Sequence, residues 1–163
     1  MRRYLFNAEK LKYVRGEKPR VECILCAIRD RHPDVESLEV FRGEHMIVTV
    51  NLYPFNAGHL MIFPRRHVEE LSALSDDEAL ELHRVTVKAI EALTQEFHPA
   101  GFNTGVNLGR SSGASIRHVH QHIVPRYDNE IGFLDVLADT RVMVVDPRDV
   151  MERLIARFSE KRP

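Results

Sequence analysis

Two cysteines in a chain of 163 residues are too few for a disulfide scaffold. There is no run of about 18 apolar residues, so no transmembrane helix and no membrane partner are expected. Neither charge sign predominates: Lys+Arg 23 against Asp+Glu 24 leave a formal net charge of -1. That balance argues against a general electrostatic grip on nucleic acid, while leaving room for a local basic site. The chain also falls short of the ~250 residues that a (β/α)₈ barrel typically needs. Near its start, the basic stretch from Met1 to Asn7 is followed by Glu9, Lys10 and Lys12, which cut short any apolar signal region; a cytoplasmic location is expected. No repeat, low-complexity tract or dividing linker occurs, and residues 1–163 read as one domain.

Hydrophobic residues at 44% and charged residues at 29% belong to a globular chain rather than a disordered one. Cys23-Ile24-Leu25-Cys26 opens an expected helical knuckle ending at Arg31. Strands are expected over Leu38–Arg42, Met46–Leu52 and His59–Phe63, the last closed by Pro64. Ser75, Asp76, Asp77 and Glu78 fit a capping box, which explains this acidic triplet better than a catalytic carboxylate pair. A long helix then follows the stripe Ala79, Leu82, Thr86, Ala89, Ile90, Leu93 and Phe97 until Pro99 and Gly101. Further strands are expected over Phe102–Leu108, His118–Val124 and Arg141–Val145, with a C-terminal helix over Pro147–Ser159. Hairpins plus a long helix imply α+β, an antiparallel sheet with helix on one side.

His118-Val119-His120-Gln121-His122-Ile123-Val124 carries the chemistry. In a strand the three imidazoles would share one face at intervals of about 6.8 Å. Burying them for packing alone would demand partners for six ring nitrogens. The bland reading is the polar face of an amphipathic strand. Against it stands the loop Gly109–Ser115, whose glycines and serines let backbone N–H groups turn toward an anion. Two chemistries suit the face: a metal centre, since His-x-His is a common ligand pair, or attack by a neutral imidazole on phosphorus. Cys23 and Cys26 suggest zinc but need two more ligands; buried thiols and a redox pair are the alternatives. His32, His45, His83 and His98 lack companions, and Arg110, Arg117 and Arg126 could add charge to a phosphate site but read first as surface residues.

The run His118–Val124 resembles the signature of the histidine-triad family of nucleotide hydrolases and nucleotidyltransferases. Asn107-Leu108-Gly109, Gly113-Ala114-Ser115, Pro54, Gly58-His59 and Pro64-Arg65-Arg66-His67 match its other elements, over roughly residues 22–127. The resemblance implies that fold, with residues 128–163 as an extension. It implies His120 as the nucleophile, with His122 and Ser115, and backbone near Gly113, on the phosphate oxygens. His118 and His59 would complete the catalytic group and Asn107 the phosphate site. Asn51 would bind the ribose, and Ile24, Leu25, Ile28 and Leu52 the base, although core packing explains these apolar four equally well. It also implies zinc held by Cys23, Cys26, His67 and His118, no organic cofactor, an adenine nucleotide as substrate, and a homodimer.

Gln121 and Ala114, the latter where family hydrolases commonly have Gln, depart from the common pattern. With Asn51–Pro54 and His122–Tyr127, they resemble the diadenosine tetraphosphate phosphorylase-like branch. The implied reaction is cleavage of a dinucleoside polyphosphate by phosphate through a nucleotidyl-histidine. Hydrolysis by water, a non-catalytic nucleotide-binding module and a structural metal-binding protein are the alternatives.

Overall fold

Cys23 starts the first helix. In the computed structural model, which describes residues 19–128 and 145–159, its backbone is extended and its sulfur accepts the Cys26 N–H at 3.5 Å. The thiol thus stands where an N-cap oxygen usually does. Helix α1 covers Ile24–Arg29, shorter than the expected knuckle, because Arg31 turns to a left-handed φ of 55°.

Five antiparallel strands form one sheet: β1 (Glu39–Arg42), β2 (Met46–Val50), β3 (Leu60–Pro64), β4 (Gly101–Val106) and β5 (Gln121–Arg126), in the order β1-β2-β3-β5-β4. The two-residue period sorts their side chains. Met46, Val48 and Val50, with Leu60, Ile62 and Ile123, enter the main core. Ile47, Met61 and Phe63 face the other way and pack on Leu25, Ala27, Ile28 and Val35. One face of the sheet therefore carries the long helices and the other carries α1.

Helix α2 spans Asp76–Phe97 behind a complete capping box of Ser75 and Glu78. Its end is set by His98 in the left-handed conformation, ahead of the expected Pro99. The buried side consists of Glu78, Val85, Ala89, Ala92 and Leu93, with Ala79 exposed. Leu82, Ile90 and Phe97 of the expected stripe pack half-buried against the same core, because α2 rests on two partners, the sheet and helix α3 (Pro147–Ser159). Arg153 and Arg157 of α3 clasp Glu96 of α2 at 2.6 and 3.0 Å. Apart from Val145, the strand expected over Arg141–Val145 lies outside the described residues.

Candidate active site and metal cluster

The expected strand over His118–Val124 is displaced: β5 begins at Gln121, and His118 and His120 lie on irregular backbone before it. The even spacing is thereby overturned, while all three rings keep to the α1 side of the sheet: His118 against Phe63, His122 paired with Met61, and His120 in one cavity lining with Ile24, Leu25 and Ile28. The rings of His120 and His122 are 4.8 Å apart, whereas His118 packs against His67 at 4.7 Å and against the edge of Phe63. Gln121, on the opposite face of β5 from His122, donates to Thr86 Oγ1 of α2 at 3.0 Å. That bond explains a polar residue at an apolar position of the pattern.

A relay of hydrogen bonds assigns the protons around His122. The Tyr53 N–H donates to Asn51 Oδ1 at 2.9 Å, which turns the Asn51 NH₂ toward His59 Nδ1 at 3.4 Å. The Phe55 N–H donates to the same nitrogen at 3.1 Å. His59 Nδ1 is therefore an acceptor, and its Nε2–H donates to His122 Nδ1 at 3.0 Å. Neutral His122 then carries its proton on Nε2; the Asn107 amide nitrogen 3.5 Å away is itself a donor, so that Nε2–H is not taken up by it. Burial pushes His59 down to about 3 and His122 down to about 4, with neighbouring imidazoles adding to both shifts. Both rings are neutral at pH 7.

His120 is 4% exposed, and its Nδ1 lies 2.8 Å from the carbonyl oxygen of His118. A carbonyl only accepts, so Nδ1 holds the proton and Nε2 keeps a lone pair. Burial depresses its pKa, with the carbonyl opposing that shift. A neutral imidazole with an open Nε2 is a nucleophile.

His120 and His122 line a cavity of about 600 Å³. It gathers every residue expected at the substrate: Asn51, Asn107, Gly113, Ser115, Ile24, Leu25, Ile28 and Leu52. Leu25 and Ile28 are buried core residues as well, so the two readings of the apolar group coexist. The imidazoles, Asn107, Gly113 and Ser115 form a polar part, and the aliphatic side chains an apolar one. Gly113 has a φ of 87°, which its place in the turn requires. At Gly58 (φ 81°) a Cβ would come within 3.0 Å of Leu93 Cδ2, so glycine is required in the turn leading to His59. His59, fully buried, lies outside the cavity lining, and its contact with the cavity runs through His122 Nδ1. A second cavity, about 770 Å³, shares Asn107 and Ile116 with the first and is bounded by Glu69, Glu70, Leu71, Leu108 and Arg117.

The donor atoms of Cys23, Cys26, His67 and His118 all lie within 4.8 Å of one another. His118 Nδ1 is 3.6 Å from each sulfur, and His67 Nδ1 is 3.3 Å from Cys26 Sγ. Tetrahedral zinc with Zn–S near 2.3 Å and Zn–N near 2.05 Å separates sulfur from nitrogen by about 3.6 Å. The donor set therefore fits zinc. The outer ring nitrogens are held too: His118 Nε2 donates to Pro64 O at 3.0 Å and His67 Nε2 faces Glu69 Oε1 at 3.5 Å. Glu69 in turn pairs with Arg117 at 2.7 Å. Sequence reasoning missed Glu69, while Arg117 is the surface residue it expected, its side chain 85% exposed. The adjacency Arg117-His118 and the interval from His67 to Glu69 were the available signals. Burial, then the neighbouring Cys23, push the Cys26 thiol up to about 11, so a cation must displace its proton.

His32, His83 and His98 are exposed and His45 is half-buried, all outside both groups. Among the described residues no helix is long and apolar enough to cross a membrane.

The HIT domain model matches residues 9–129. AP-4-A phosphorylase of Mycobacterium tuberculosis is 41% identical over 131 residues, covering 80% of this chain and 67% of that protein. The protein named "Protein hit" of Bacillus subtilis is 33% identical, over 68% of this chain and 75% of its own length. The crystal structure of a Zn-bound histidine triad family protein from Mycobacterium smegmatis superposes with a TM-score of 0.69 at 22% identity, covering 85% of this chain and 94% of that one. At that identity the likeness concerns the fold.

Proposed function

This chain belongs to the HIT domain family, and on that footing we propose that it is a nucleotidyltransferase that cleaves dinucleoside polyphosphates with inorganic phosphate. The observation that carries the reading is the open Nε2 of His120 in a cavity with an aliphatic part and a glycine-serine loop. Ile24, Leu25, Ile28 and Leu52 receive the base, Asn51 lies at the ribose, and Asn107, Gly113 and Ser115 surround the α-phosphate. The Nε2–H of His122, fixed through His59, donates to a non-bridging oxygen as charge develops there.

His120 Nε2 attacks the α-phosphorus; a P–N bond forms as the P–O bond to the nucleoside polyphosphate breaks, and that group leaves with the electron pair. Inorganic phosphate then attacks the nucleotidyl-histidine, the P–N bond breaks, and a nucleoside diphosphate departs. Diadenosine tetraphosphate would thus give ATP and ADP. The AP-4-A phosphorylase likeness and Ala114 support phosphate over water as the second nucleophile.

Cys23, Cys26, His67 and His118 would hold a structural zinc, a closed set of four protein ligands. It would supply cross-linking of α1 to the segment before β5 and no reacting group. The sheet edge at β4, with Asn103, Thr104 and Gly105 exposed, supports a homodimer.

Chromatography of products from diadenosine tetraphosphate, with and without phosphate, tests the reaction. ADP plus ATP, made only with phosphate, is the expected result. AMP plus ATP regardless of phosphate would replace the proposal with hydrolysis, and no turnover would overturn it.

A further inference from the structure

The metal cluster and the cavity share parts at two places. The first is α1. Cys23 caps it and Cys26 lies in its first turn, while Ile24, Leu25 and Ile28, interleaved with them, line the cavity. A rigid six-residue helix cannot shift its cysteines without shifting that wall. The second is His118, which is 1% exposed. Its ring presents Nδ1 to both sulfurs, and its carbonyl oxygen accepts the proton of His120 Nδ1 at 2.8 Å. The groove wall and the nucleophile's orienting acceptor are thus both fastened to the same four-residue cluster.

We infer that the Cys23, Cys26, His67 and His118 cluster is energetically coupled to the nucleotide cavity through α1 and the His118–His120 segment. The inference rests on the proposed nucleotide site. Nucleotide in the cavity steadies α1 and the His118–His120 segment, which keeps the four donors converged. Converged donors in turn keep the cavity wall in place and the lone pair of His120 aimed into the cavity. Coupling of this kind is reciprocal: whatever factor nucleotide adds to zinc affinity, zinc adds to nucleotide affinity.

The test measures how zinc partitions between the purified full-length protein and a chromophoric chelator, with and without adenosine monophosphate, whose binding is measured separately by calorimetry. Saturating nucleotide should shift the equilibrium partition of zinc from chelator to protein by about 5- to 150-fold, the usual range for coupled sites, with half-effect near the calorimetric Kd. The zinc-stripped chain should bind the nucleotide more weakly, and it should lose more in kcat than in KM because the acceptor that orients His120 has moved. Cys26→Ser should reproduce the stripped protein. If that variant does not fold, the chelator experiment on the wild type still decides. Nucleotide that binds without changing the zinc partition overturns the coupling and leaves the proposed function standing. Failure of calorimetric binding overturns the nucleotide site and this inference with it. Protein that holds no stoichiometric zinc overturns the cluster's role.

Discussion

His118 and His120 are the same residue type on the same short segment, yet the structure frees opposite ring nitrogens. His118 gives its Nε2–H to Pro64 O, leaving Nδ1 for the two sulfurs. His120 gives its Nδ1–H to the carbonyl of His118, leaving Nε2 open to the cavity. A backbone carbonyl decides in each case which lone pair remains, and the surroundings decide what it suits: two thiols suit His118 to a metal, and under the proposed function the glycine-serine loop suits His120 to attack on phosphorus. The identity of a histidine therefore says less than the partner of its second nitrogen.

The sharpest way to break this contrast is to remove one ring at a time. His120→Ala should lower turnover by about 10³-fold or more, since no other open imidazole nitrogen faces the phosphorus. It should retain zinc and measurable nucleotide binding. His118→Ala should lose zinc first. Turnover near wild type in His120→Ala, or zinc loss in that variant by elemental analysis, would erase the division of labour.

Acid should separate the groups next. His59 and His122 are depressed to about 3 and about 4 by burial, while the unfolded chain would titrate near 6.5. Below 6.5 the unfolded state thus binds more protons than the folded one. Their contribution is fully present above about pH 6.5 and is lost as the pH falls toward 4 and below. The urea midpoint should fall steadily over that window, and His122→Asn should flatten the slope. A midpoint level from pH 7 to pH 4 would contradict neutral burial of the pair.

Much of this was legible in the sequence, for physical reasons that differ by element. The capping box at Ser75 and the start of the last helix at Pro147 are local devices, and each stands where expected. The expected cavity residues come from four separate segments, yet all line one space. What periodicity misjudged was the stretch before β5: alternation of His with Val and Gln mimics a strand. There the His118 ring bonds to Pro64 O and the His120 ring to the His118 carbonyl, and the backbone carrying both lies outside the ladder. His59 and Asn51 were expected at the site, but their hydrogen bonds to each other and to the loop were out of reach, because they depend on which backbone N–H points at which ring nitrogen.

Glu69 offers a finer probe of the metal half. Its carboxylate bridges His67 Nε2 and Arg117, the arrangement that orients a ligating imidazole. Glu69→Ala should weaken zinc affinity by about 10- to 100-fold, measured by competition with a chelator, while Glu69→Gln, which keeps an acceptor, should cost less. An Ala variant with unchanged zinc affinity would show that His67 needs no orientation.

The smallest expected effect tests where the two groups stop. Ser75→Ala removes the oxygen that accepts the Glu78 N–H and should cost about 1 kcal/mol of stability. Glu78 keeps its two bonds from Arg66, at 3.1 and 2.7 Å, so the carboxylate stays in place. Arg66 directly precedes His67, so the Glu78–Arg66 pair ties this helix start to the metal cluster. If the cluster is anchored through its own ring and carbonyl contacts, thermal unfolding shifts down slightly while zinc and nucleotide affinities stay at wild-type values. If zinc affinity falls along with stability, the Glu78–Arg66 pair is a third support of His67, and the boundary of the metal half moves out to α2.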